Sequence, residues 1–214
     1  MHRIVGRTAL LAALAIAVAG VSFSVRAQEA KAESKAESKD DEAFQQRLFG
    51  RTAGGTQIHA CFSRVYDTAH LAQHPRQNVR TMLLLVKADS EDNQLQYGVR
   101  LGVTFRKSGA HFESAGECGS IHDAGEAGGS AGAVHCGVDC DGGSIEVAIK
   151  DAKSVVVSIP TGARIWRANS DNDSDQRRRF GSDDKVFRLD KTALTECLRL
   201  ADDSAEKATM RRGQ

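Results

Sequence analysis

The stretch Gln94 to Arg106, QLQYGVRLGVTFR, most narrows what this chain can fold into. Leu95, Tyr97, Val99, Leu101, Val103 and Phe105 all fall on odd positions, while the even ones are polar or glycine. A period of two held over this length puts apolar side chains on one face of an extended strand and polar groups on the other. The alternation recurs downstream: Ser144 to Lys150 carries Ile145, Val147 and Ile149, and Ser154 to Ile159 carries Val155, Val157 and Ile159. Asn78 to Ala88 holds the more continuously apolar MLLLV, with Asp89 to Asn93 expected as the hairpin loop before Gln94. Pro160-Thr161-Gly162 is a turn signal, since proline presets φ and glycine closes the turn. Ala163 to Ala168, with Ile165 and the single tryptophan Trp166, and Lys185 to Leu189 are further short strands. Strands this closely spaced, with no helical pattern between them, predict an all-β fold. It is an antiparallel meander of about seven or eight strands, closed as a barrel or stacked as a sandwich.

The ends carry other signals. From Lys191 onward Ala193, Leu194, Cys197, Leu198 and Ala201 recur at helical spacing behind Asp190, a good N-cap, so one amphipathic C-terminal helix is expected there. Cys61 to His74 is mixed and is expected as a strand or irregular edge ending at Pro75. At the N-terminus, His2, Arg3 and Arg7 precede the apolar run Ala9 to Val21, and Val25-Arg26-Ala27 places small side chains where a signal peptidase reads. The run falls short of the ~20 residues needed to span a bilayer, and residues 1–27 read as a signal peptide. Removing them takes away Arg3, Arg7 and Arg26 and no acid, so the formal charge passes from +1 to about −2. A near-neutral product has no electrostatic footprint for nucleic acid.

Residues 28–50 are expected as a disordered charged linker, because Gln28 to Ala43 repeats Lys-Ala-Glu-Ser and offers no large apolar side chain to bury. Residues 51–201 are the single β domain and 202–214 a flexible charged tail. The expected product is periplasmic or secreted, monomeric, and not inserted in the membrane.

All five cysteines, Cys61, Cys118, Cys136, Cys140 and Cys197, lie in the exported part, where oxidising conditions favour disulfides. In Ala133 to Asp141, Val134, Cys136, Val138 and Cys140 are even while His135, Asp139 and Asp141 are odd. On a strand, Cys136 and Cys140 both face the core about 13 Å apart, too far to bridge each other. His111 to Ser120 puts Phe112 and Cys118 on one face, so Cys118 is a partner for Cys136 or Cys140, with Cys136 favoured. Cys61 and Cys197 are candidates to staple the start of the domain to its terminal helix.

Other chemistries fit less well. Cys118, His122, His135, Cys136 and Cys140 have the composition of a zinc site, but the alternation that turns the cysteines inward turns His111 and His135 outward. A Cys-x3-Cys pair on a strand lacks the helix N-terminus that stabilises a thiolate. Asp171, Asp173 and Asp175 begin an oxygen-rich tract, yet Gln176 and Ser182 stand where an EF-hand needs glycine and glutamate. Gly128-Gly-Ser130-Ala-Gly132 fits G-x-S-x-G without a strand-to-helix elbow, and Ser182-Asp-Asp-Lys185 fits S-x-x-K without its helix. No cofactor and no metal is therefore expected.

The segments CFSRVYDTAHLAQHPRQNV, SAGECGS, HCGVDCDGG and DDKVFRLDKTALTECL together resemble a group of small exported proteins of Gram-negative, chiefly alphaproteobacterial, genomes. The likeness covers Cys61 to about Leu200. It implies a periplasmic or secreted location and brings no assigned activity. The expected function is a non-enzymatic binding or envelope-associated module for a small ligand or a partner protein. The alternative is a metal-dependent or hydrolytic enzyme with a site on the outer face around His111, His135, Asp139 and Asp141.

Overall fold

A computed structural model describes residues 39–91, 94–119, 132–138, 142–168 and 180–213. The barrel unit runs from Asp41 to Gln214. Its strands are β1 Ile58–Val65, β2 Val79–Glu91, β3 Gln94–Phe105, β4 His111–Cys118, β5 Ala133–Gly137, β6 Ser144–Asp151, β7 Ser154–Ser158, β8 Trp166–Arg167 and β9 Val186–Thr192. All pair antiparallel in one sheet. β1 pairs with both β2 and β9, and β3 pairs with β4, so the sheet closes on itself. The result is an eight-stranded up-and-down barrel, with the two-residue β8 as an added strand on β4. Of the two architectures open from the alternation, closure selects the barrel, which alone leaves no unpaired edge.

The odd positions of β3 point inward as expected. Tyr97, Val99, Leu101 and Val103 are buried and join Leu84 and Val86 of β2, Ile145 and Val147 of β6, Val155 and Val157 of β7, and Phe187 and Leu189 of β9 in one contiguous cluster. An eight-stranded barrel is just wide enough for side chains to fill. Here Tyr97, Phe187, Met82, Leu101, Ile145 and Leu189 are all essentially inaccessible to solvent.

One seam is weak. β4 and β5 share only the pairs Glu117↔Gly137 and Cys118↔Cys136. At that end a disulfide joins Cys118 to Cys136 across the seam, while further along β4 the gap is taken by β8, with Phe112 opposite Arg167 and Glu113 opposite Trp166. Strand register thus selects Cys136 over Cys140 as the partner. Cys140 itself, with Asp139 and Asp141, lies outside the described residues, as do His122, the G-x-S-x-G string and the Asp171 to Asp175 tract.

Three expectations at the ends are corrected. Within the span read as disordered linker, residues 39–49 form α1. Phe44 and Leu48, one helical turn apart, are buried in the barrel mouth, with Phe44 edge-on to Tyr97 at 5.5 Å. Lys191 Nζ donates to the Leu48 carbonyl at 2.9 Å, and Gly50 at φ 84° takes the left-handed conformation that ends the helix. The charged repeat masked this short stripe, which has something to bury only once the barrel exists.

A C-terminal helix is present as expected, but it starts later than Lys191. Asp190 lies within β9, and a 3-10 helix, Leu194–Leu200, follows. The supposed flexible tail holds α3, Ser204–Arg212, capped by Asp203, whose carboxylate accepts from the Glu206 amide at 2.8 Å. Asp203 followed three residues later by Glu206 is a helix-start signal, and Met210, one turn beyond Glu206, is fully buried. Between β1 and β2, Asp67 caps the short helix α2, Thr68–Gln73, which stops before Pro75.

The 3-10 helix and α3 pack on the outside of the β1–β2 wall. Cys61, Leu85, Cys197, Leu200, Ala201 and Met210 make a second, smaller core, and a disulfide joins Cys61 to Cys197 across 136 residues of sequence. In the loop-entropy account a closure this long contributes up to ~5 kcal/mol. At the opposite end of the barrel, Asp184 is fully buried. Its carboxylate accepts from the backbone amides of Asn78 at 2.8 Å, Gly181 at 2.6 Å and Val79 at 3.2 Å, tying the turn before β9 to the start of β2.

Two outcomes follow. Denatured but unreduced protein should titrate one thiol per chain and reduced protein five; three or more before reduction would contradict the two disulfides. Asp184→Ala leaves the three amide donors without their acceptor and should lower unfolding free energy by about 3 kcal/mol in a urea titration; an unchanged midpoint would show that the latch carries no stability.

Candidate binding face

The outer row of β3 is unusual because it contains Gly98 and Gly102. A Cβ at Gly102 would lie 2.9 Å from Leu200 Cδ2 and 3.4 Å from Arg199 Nη2, so the absence of a side chain there lets the 3-10 helix lie against the wall. The Cys61–Cys197 disulfide fixes that helix, and Arg199, two residues beyond Cys197, reaches over β3 to β4. Arg199 Nη1 is 2.6 Å from His111 Nδ1. A guanidinium can only donate, so Nδ1 accepts and the imidazole is neutral with its proton on Nε2. Burial and then the charge of Arg199 hold His111 below the ordinary histidine pKa, and burial lowers Arg199 as well.

Glu113 stands two residues from His111 on the same outward face of β4 and is half-buried. Its pKa is raised by burial, partly offset by Arg100, Arg199 and Lys207. Among the described residues no hydrogen bond and no ion pair within 4 Å ties Glu113 to any of these cations. Its sheet neighbours are Gly102 on one side and Trp166 on the other. Directly opposed residues share a face with Cβ atoms ~5 Å apart, so the Trp166 side chain, 38% exposed, stands beside the Glu113 carboxyl.

A second polar chain supports this face from beneath α3. His59 on β1 and Glu206 on α3 meet at 2.9 Å, both nearly inaccessible to solvent. The other Glu206 oxygen accepts from the Asp202 amide at 2.5 Å. The Asp202 carboxylate in turn pairs with Arg100 and with Lys87 Nζ, the latter at 3.1 Å. Arg100 is thereby held on the outer face of β3, one pleat from Gly102.

Of the four residues expected to form an outer-face site, Asp139 and Asp141 lie outside the described residues, and the two histidines stand far apart. Gly119 lies beside His135, with its amide on the His135 carbonyl, and His111 is eight residues further along β4, roughly 26 Å away. A metal bound by both histidines is therefore excluded by strand geometry. Parity places both outward, but the axial offset between β4 and β5 separates them. Among the described residues no group of three or more His, Cys, Asp or Glu is placed to hold a metal ion.

Glu113, Arg199 and Trp166 were not among the candidate site residues read from sequence. The parity of HFESAGEC already put Glu113 on the His111 face. Nothing in the chain order announced that a residue of the 3-10 helix and one of β8 would flank it. No protein family, curated protein or solved structure matches this chain.

The His59–Glu206 pair has a pH consequence. Burial raises the Glu206 pKa, but the hydrogen bond and charge of His59, with Lys87 and Arg100, outweigh it and leave a net lowering. A carboxylate with a lowered folded-state pKa stabilises the fold fully above its unfolded value, near 4.3, and loses that contribution as pH falls through the folded value. Unfolding midpoints of the wild type should therefore drop on acidification below about pH 4.5, and less steeply in Glu206→Gln. Equal acid slopes for the two proteins would contradict the assignment.

Proposed function

We propose that this chain is an exported, non-enzymatic binding module that works in the periplasm or outside the cell through the outer wall of its barrel. The observation that carries this reading is the occupied interior: one apolar cluster runs through the barrel, and Phe44 and Leu48 of α1 close its mouth. A ligand inside would have to displace that packing. Two disulfides agree with an exported protein, and among the described residues no helix is long and apolar enough to cross a membrane. The signal-like N-terminus supports the same address.

What remains for recognition is surface. The β3–β4–β8 face combines a partly exposed tryptophan, a half-buried carboxylate and arginines held in place by the second core. Tryptophan and arginine are the side chains most often found at the centre of binding surfaces. Expressed in a Gram-negative host, the protein should appear in the periplasmic or medium fraction with a mass starting at Gln28, and the purified product should co-sediment with washed cell-envelope material. Full-length protein retained in the cytosol, or a product left wholly in the supernatant, would overturn this reading.

A second reading has one observation behind it. Glu113 is shifted up and His111 down on a single face, the arrangement in which one group donates and the other accepts a proton. That reading is a hydrolase, and it requires that Glu113→Gln abolish turnover of whatever substrate is bound.

A further inference from the structure

We infer that the β3–β4–β8 face binds a carbohydrate, with Trp166 as the stacking platform and Glu113 and Arg199 as its polar contacts. The inference rests on the surface-binding reading above and adds the chemical class of the ligand. A pyranose ring has one face of C–H groups rimmed by hydroxyls, so it requires a flat apolar surface beside planar donors and acceptors.

The register supplies that combination. Trp166 and Glu113 are directly opposed on neighbouring strands. On the far side of Glu113 is Gly102, and the next outward residue along β4, Ala115, pairs with Arg100. Leu200 and Arg199 of the 3-10 helix cover Gly102, so the Glu113 carboxyl stands between Trp166 on one side and the edge of that helix on the other.

Glu113 is the second observation. A half-buried carboxylate is ordinarily locked to a cation or to backbone amides, as Asp184 is. Glu113 instead lies near Arg100, Arg199 and Lys207 without a direct bond to them, leaving its oxygens open to ligand hydroxyls. Arg199 uses Nη1 on His111, and Arg100 is bound to Asp202. Such anchoring prepays side-chain ordering and keeps the guanidinium planes fixed.

The occupant is small and polar rather than a protein surface. The centre of a protein interface is depleted in charge and needs contiguous apolar area. Here Trp166 stands among Glu113, His111, Arg199 and Arg100. The other exposed large apolar residues among those described, Val65 and Val186, belong to β1 and β9, which lie elsewhere round the barrel.

Trp166 is the only tryptophan in the chain, so its emission reports this face alone. Full exported protein would be titrated with chitotetraose, cellohexaose and maltohexaose while tryptophan fluorescence is followed. At least one should give a saturable change, and Glu113→Gln should weaken that binding about tenfold with an unchanged melting temperature. Calorimetry with Trp166→Ala should show loss of binding, and Val65→Ala should bind as wild type. No spectral change with any of the three up to about 10 mM, a range reaching past millimolar dissociation constants, would overturn the carbohydrate assignment.

Envelope co-sedimentation separates the two levels. Pelleting that survives in Trp166→Ala and Glu113→Gln would retain the binding-module reading and move the site elsewhere. Pelleting abolished by protease treatment of the envelope but not by glycan hydrolases would mean a protein occupant and overturn the inference. Failure to pellet under all conditions would remove the broader reading as well.

Discussion

Closure of the sheet at the β4–β5 seam is the constraint on which the rest of this structure depends. Six of the eight junctions of the barrel follow from hairpins or from runs of five or more paired residues, whereas β1 and β9 share three pairs and β4 and β5 only two. A barrel opened at that seam would expose two strand edges and the apolar interior together. The chain closes it with the Cys118–Cys136 disulfide at one end and the inserted β8 at the other. One consequence is stability, and the other is position: the strand that fills the gap is the one that brings Trp166 beside Glu113.

The second disulfide has a parallel double effect. Cys61–Cys197 pins the 3-10 helix to the outer wall, where Gly102 leaves room for it. The same docking presents Arg199 to His111 and sets α3 so that Glu206 meets His59. Scaffold and candidate face are thus built from the same contacts. The two cores share the β1–β2 wall but face opposite sides of it.

The parts of the fold legible in the chain were those that depend on local period. The odd positions of QLQYGVRLGVTFR, the Ile145 and Val155 alternations and the inward parity of Cys118 and Cys136 all carry over into the barrel. The ends were misread for a physical reason. Phe44 with Leu48, and Glu206 with Met210, are two-residue stripes in charged surroundings, too short to stand out by periodicity. Each becomes helical because a finished wall or mouth awaits it, an example of helix stability drawn from tertiary packing. The candidate face was half legible: strand parity joins His111 to Glu113, whereas the expected partnership of His111 with His135 fails because parity fixes the face and says nothing about distance along it.

By itself the sequence determined an antiparallel β architecture, the inward and outward rows of its main strands, and the short list of cysteine pairings, since each follows from side-chain alternation at fixed rise per residue. Only the tertiary structure decided that the sheet closes, that residues from α1 and α3 seal a mouth and a wall, and that Arg199, Glu113 and Trp166 converge. Those outcomes join segments separated by scores of residues, and their geometry is set by register and closure, which no local pattern encodes.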